Sequence, residues 1–281
     1  MRKMQSGLRR VYRQLVLDNL KRMNLDVPDR YASHFNNIAG AFNAAYIVET
    51  LLRSKQGGKV LVVGVFGGRD YWYLKNKGYE VFGLDIGIVP DIDKLTIADV
   101  QKELPFEVEF FDAVVMCEVL EHITEDYQAL LSVHTILKRN GIMVVAVPYL
   151  ADSNPCHIRV HTPKTIVRLL EETGYEIDEV VERPGLFRMG SKSFQFVNHG
   201  INLLTYAVLG RTVYNKYLQS LAKMEFYFGK KYATSRFFSW IRKRSKHWGV
   251  YIKAKKCVND PKQSILKRNK SKYTAECSLS D

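Results

Sequence analysis

Between residues 59 and 183 the sequence switches repeatedly between two periodicities, and nothing else in the chain restricts its fold as strongly. Lys59-Val-Leu-Val-Val63 is a short β-branched run followed at once by glycines. A helix-forming stretch over 71–77 comes next, and Gly78 stops it. Runs at 80–85, 111–117, 142–147 and 175–182 read as further strands. Helices are expected from about Glu118, over 129–138 and over 165–173. Strands alternating with helices predict an α/β fold: a doubly wound, mostly parallel sheet with helices on both faces. Strands that are apolar throughout, rather than at every second residue, predict burial on both sides.

The rest of the chain frames this core. Residues 5–23 and 31–53 read as helices, separated by Asp26-Val-Pro-Asp29. Val213, Tyr217, Leu221, Met224 and Phe228 recur at helical spacing, and a last strand is expected over 248–254. The expected organisation is an N-terminal helical cap over 1–54, a core of 55–184 plus 247–257, a basic helical insertion over 185–246, and a disordered basic tail over 258–281. The tail is polar and lacks apolar periodicity.

Charge separates along the same boundaries. Residues 184–281 carry 20 lysines and arginines against 4 acidic residues, and residues 1–22 carry 7 against Asp18 alone. The stretch between them is acidic, with 15 basic and 24 acidic residues. A basic end favours anionic partners: a phospholipid surface, a phosphorylated glycan or a nucleic acid. In the insertion, Phe237, Phe238 and Trp240 are interleaved with Arg242, Lys243 and Arg244. That mixture suits a membrane interface, and also nucleic acid through stacking and phosphate contacts. The stretch 193–210 is free of charge but interrupted by polar residues, so it reads as interfacial or packed rather than spanning. Four cysteines at 117, 156, 257 and 277 form no CxxC pair and no regular framework, which points to a reducing compartment. A cytoplasmic protein with membrane association through its basic parts is expected. The Arg-rich, amphipathic N-terminus is also compatible with a mitochondrial leader.

Gly64-Val-Phe-Gly67-Gly68 follows a strand and opens a helix, so the backbone there can approach a ligand closely. Asp85 closes the next strand, 21 residues after Gly64. An acid at that place can accept both hydroxyls of a ribose. Phe66 occupies the second glycine position of a nicotinamide fingerprint, and no Gly-Lys-Ser/Thr follows to make a P-loop.

Five blocks together resemble the class I S-adenosylmethionine-dependent methyltransferases, a Rossmann-like family. They are VLVVGVFGG, GLDIG around Asp85, FDAVVMCEVLEHI at 111–123, LKRNGIMVVAVP at 137–148, and HIRVHTPKTIVRLLEETGYEI at 157–177. The resemblance is to members acting on small molecules, sugars and ubiquinone-type acceptors. It implies S-adenosyl-L-methionine as cofactor. Gly64, Gly67 and Gly68 would approach it, Asp85 would hold the ribose, and Asp99 would lie near the adenine. Cys117 and Glu118 would end their strand facing the sulfonium. Two positions depart from the family: Val62 replaces its usual acid, and Phe66 its central glycine.

Glu118, Glu121 and His122 stand at i, i+3 and i+4, a spacing that shares one face of a helix. With His157, these groups have the ligand types for Mg²⁺ or Mn²⁺. The same residues resemble metal-dependent members, where a metal would lower the pKa of an acceptor hydroxyl. His122 or His157 as general base is an alternative, since an imidazole titrates near neutral pH. Plain helix packing is another. His161 and Tyr149 lie in the same expected loops. The leading expectation is O-methylation of a small-molecule, glycan or lipid-linked acceptor. An RNA 2′-O-methyltransferase stands beside it, as does a non-catalytic, membrane-associated protein on a degenerate scaffold.

Overall fold

The computed structural model describes residues 25–31, 38–148, 155–184, 222–231 and 247–257, with single helical positions at 17, 20–21, 216 and 219–220. The expected tail at 258–281, the charge-free stretch at 193–210 and the aromatic-basic run at 237–244 lie outside the described residues, as does most of the expected N-terminal helix.

Seven strands form one sheet: β1 (Lys59–Val63), β2 (Glu80–Asp85), β3 (Leu95–Ile97), β4 (Phe111–Cys117), β5 (Leu137–Val147), β6 (Tyr175–Pro184) and β7 (His247–Lys256). Their order is β3-β2-β1-β4-β5-β7-β6. The first five pair in parallel, while β7 runs antiparallel to both β5 and β6. Four helices are described in full: α1 (Ile38–Leu52), α2 (Arg69–Asn76), α3 (Asp126–Ile136) and α4 (Pro163–Glu172).

The strands divide the core by residue parity. Val60 and Val62 of β1 pack with α1, α2, Ala113, Val115 and Cys117. Leu61 and Val63 pack on the other face with Val114 and Met116 and with α3 and α4. Both faces are covered, so no polar alternation survives in the central strands. The chain moves outward from β1 through β2 to β3, then returns to β4 on the other side of β1. In open α/β sheets such a reversal leaves a crevice beyond the carboxyl ends of the two strands, where ligands bind.

Two expectations change. The helix expected from Glu118 does not form: Glu118 has a φ of 57°, and only a 3-10 turn, Leu120–His122, precedes α3. A left-handed residue cannot continue a right-handed helix. A strand absent from the sequence reading, β3, adds to β2 at the sheet edge. Among the described residues no helix is long and apolar enough to cross a membrane.

Candidate active site

A cleft of about 650 Å³ opens at the carboxyl ends of β1, β2 and β4. It lies within the size range of small-molecule sites. Gly64, Gly67, Gly68, Asp85, Asp99, Cys117, Glu118 and His122 all line it. The structure therefore brings to one place every residue assigned to the cofactor from the sequence.

The glycine turn owes its shape to two residues. Gly64 has a φ of 74° and Gly68 a φ of 63°, bracketing a 3-10 turn at Val65–Gly67. A side chain in the left-handed region costs about 1–2 kcal/mol. Space is also lacking, because a Cβ at Gly64 would sit 2.5 Å from Val119 Cγ2, and one at Gly68 2.6 Å from Tyr31 Cδ1. Gly64→Ala is expected to lower stability by about 2–3 kcal/mol, combining the backbone cost with overpacking. Adding Val119→Ala relieves the steric part alone, so urea denaturation of the double variant should show a partial return. Phe66 has no positive φ, and its side chain is 76% exposed. The turn therefore does not need glycine at 66, and the phenylalanine projects from the rim instead of filling the turn.

Asp85 ends β2 facing this turn. Its carboxylate accepts from Phe66 N at 3.1 Å and from Gly87 N at 3.4 Å. Asp99 accepts from the backbone and side-chain nitrogens of Gln101, both at 3.0 Å, and these bonds hold its pKa below the ordinary value. Gln101 Oε1 in turn accepts from Thr124 N and Glu125 N, which ties the loop after β3 to the loop before α3.

A second cluster adjoins the cleft and shares His122 with it. Glu121, His122 and His157 place one ligand atom each within 4.8 Å of one another. Glu118 is not part of this group, so the four-ligand set expected from the sequence reduces to three. Its left-handed backbone separates it from the 3-10 turn that carries Glu121 and His122. The His122 and His157 rings meet edge to face with centroids 4.6 Å apart. His122 Nδ1 lies 3.1 Å from Cys156 O. A carbonyl only accepts, so that nitrogen carries a proton, and in the neutral ring the acceptor is Nε2. Burial, then the His122 neighbour, lowers the His157 pKa. Glu121 is 1% exposed, and neither of its carboxylate oxygens has a hydrogen-bond partner. Burial, reinforced by the charge of Glu118, pushes its pKa up to about 8.

The stretch that follows His157 is anchored. Ile158 N donates to Glu121 O, and Arg159 pairs with the buried Asp126 at 3.3 Å. Thr162 caps α4 by accepting from Thr165 N, with Pro163 in the first turn. His161 is buried beside Asp126, at 3.7 Å, and does not line the cleft. Tyr149 lies outside the described residues.

One pair of functional groups escaped the sequence reading. Arg69 and Asp70 line the cleft beside Gly68 as an ion pair. The only signal for them is their place directly after the glycine turn.

Residues 61–145 match the protein family described as Methyltransferase domain. No curated protein matches the chain in sequence. Among solved structures, the [4+2]-cyclase SpnF is similar at 15% identity, covering 77% of this chain and 82% of that one, with a TM-score of 0.51. A protein assigned as a sarcosine dimethylglycine methyltransferase from Galdieria sulphuraria aligns at 12% identity over 77% of this chain and 85% of its own, with a TM-score of 0.50. These likenesses concern the fold.

Proposed function

We propose an acceptor class and a mechanism for this chain, a class I methyltransferase by its fold and by the family that residues 61–145 match: it transfers the methyl group of S-adenosylmethionine to a hydroxyl oxygen. The observation that carries the proposal is the His122 imidazole, which lines the cofactor cleft, turns Nδ1 to the Cys156 carbonyl and stands against His157. The acceptor class is a small molecule, a glycan or a lipid-linked intermediate.

The cofactor supplies a methyl group already activated by the sulfonium, so the protein's tasks are positioning and proton transfer. Asp85 holds the ribose, and the left-handed turn at Gly64 and Gly68 lets the backbone come close. As the hydroxyl oxygen forms its bond to the methyl carbon, the carbon–sulfur bond breaks and its electrons stay on sulfur. The hydroxyl proton passes to His122 Nε2. A neutral imidazole suits that role at neutral pH.

A divalent cation also fits the residues present. One carboxylate oxygen of Glu121, which has no hydrogen-bond partner, lies within 4.8 Å of a ring nitrogen of His122 and of His157, an oxygen–nitrogen set suited to Mn²⁺ and, less well, to Mg²⁺. Such an ion would supply Lewis acidity toward the acceptor oxygen. A role without methyl transfer is the second reading, and the observation favouring it is that a cyclase shares this fold.

The test is transfer of labelled methyl from S-adenosylmethionine to panels of alcohols, amines and RNA, each with Mn²⁺ and with EDTA. Hydroxyl acceptors are expected to be labelled. His122→Ala should lower the rate about 10²–10⁴-fold, the usual worth of a general base, while leaving cofactor affinity unchanged. Labelling of amines alone, or full activity in His122→Ala, would refute the hydroxyl reading.

A further inference from the structure

Arg69 and Asp70 open α2, one residue past the left-handed Gly68. Neighbouring residues on a helix point in different directions, so they do not normally pair. Here the arginine folds back over the aspartate. Arg69 Nε donates to Asp70 Oδ1 at 2.9 Å, and Nη2 donates to Oδ2 at 2.7 Å. The Asp70 side chain is 8% exposed and that of Arg69 is 22% exposed. Taking two charges out of water costs as much as their attraction returns, so stability alone does not explain such a pair.

The surroundings point to a ligand. Among the described residues, Arg69 is the only lysine or arginine lining the cleft. Asp70 also lies close enough to the Cys117 thiol at the end of β4 to raise its pKa, after burial. If Asp85 holds the ribose and Cys117 faces the sulfonium, the remaining part of S-adenosylmethionine is its α-amino-acid end. That end is a zwitterion, and Val62 supplies no charge for it from β1. A zwitterion needs an acid and a base side by side, and a guanidinium fork matches a carboxylate in plane.

We propose that the Arg69–Asp70 pair binds the α-amino-acid end of the cofactor, with the guanidinium on its carboxylate and Asp70 on its ammonium. This assignment rests on the cofactor reading above. Asp70 oxygens keep lone pairs, and Arg69 keeps donors, beyond the two bonds they share. The pair thus stays intact in the free protein and accepts the ligand without leaving either charge unmatched.

The test compares two nucleosides by calorimetry: S-adenosylhomocysteine, and 5′-methylthioadenosine, which keeps the adenine, ribose and thioether but lacks the amino acid. Arg69→Met should weaken S-adenosylhomocysteine about 10- to 100-fold, the worth of a charged hydrogen bond, and leave methylthioadenosine within about twofold. Arg69→Lys should fall between, keeping charge but losing the fork. Equal weakening of both nucleosides, or of neither, would overturn the assignment. Should Arg69→Met fail to fold, the wild-type chain decides: decarboxylated S-adenosylhomocysteine must bind at least about 10-fold more weakly than the parent, and equal affinity overturns the assignment. A wild-type chain that binds none of these nucleosides overturns the cofactor reading as well, whereas one that binds them without discrimination overturns this assignment alone.

Discussion

Asp85→Ala is expected to weaken S-adenosylmethionine binding by about 10²–10⁴-fold, from two lost hydrogen bonds to a charged acceptor at roughly 1.5–3 kcal/mol each. The carboxylate is fixed before any ligand arrives. Phe66 N and Gly87 N donate to it, so it cannot rotate freely away from the cleft that it lines. A vicinal diol offers two donors to such an acceptor at little reorganisation cost. The substitution also removes the acceptor for Phe66 N and loosens the glycine turn, which adds to the loss. Asp85→Asn keeps shape and one acceptor oxygen, so it should lose less. Calorimetric titration measures both, with thermal unfolding to show that the variants fold. A change below about threefold in Asp85→Ala would remove Asp85 from the site, because even one neutral hydrogen bond is worth more than about 0.5 kcal/mol.

The legibility of this chain follows its burial. β1, β2 and β4 stand where their apolar runs place them, because both faces of a central strand are covered and every residue carries the signal. β3 is three residues long and partly exposed, with Ile97 at 55%, so it carries almost none. The antiparallel direction of β7 has no counterpart in local sequence. α4 begins at Pro163, two residues before the expected start, although Thr162-Pro163-Lys-Thr165 contains its capping signal.

At the site, the glycines and Asp85 were readable from spacing, since a strand–turn–helix unit fixes where they fall. Glu118 was not. Its spacing from Glu121 and His122 fits a helix, but a left-handed φ at a glutamate is invisible in sequence and removes it from that face. Arg69 and Asp70 were hidden for the opposite reason. Adjacent helical residues are expected to point apart, yet here the arginine folds back onto its neighbour.

The second large effect concerns Glu121 and pH, in protein kept in EDTA. Its pKa in the folded chain, about 8, lies above the ordinary 4.5, because burial and then the charge of Glu118 disfavour ionisation. Between those values the folded chain holds one more proton than the unfolded chain. The Glu121 contribution to stability must therefore fall as pH rises across that window, by up to about 1.4 kcal/mol per unit, and level off below 4.5 and above 8, while His157 and His161, whose pKa values are lowered from 6.5, act in the opposite sense in its lower part. Asp99, Asp112 and Asp178 act in the opposite sense, but their pKa values are lowered, so their effect lies below the window. Glu121→Gln cannot ionise and removes this slope alone. Urea denaturation at intervals from pH 5 to 9 should show the variant gaining on the wild type by several kcal/mol, roughly the integral of that slope. Parallel profiles would mean that Glu121 is ionised throughout, and therefore that water or a cation reaches its carboxylate in the folded chain.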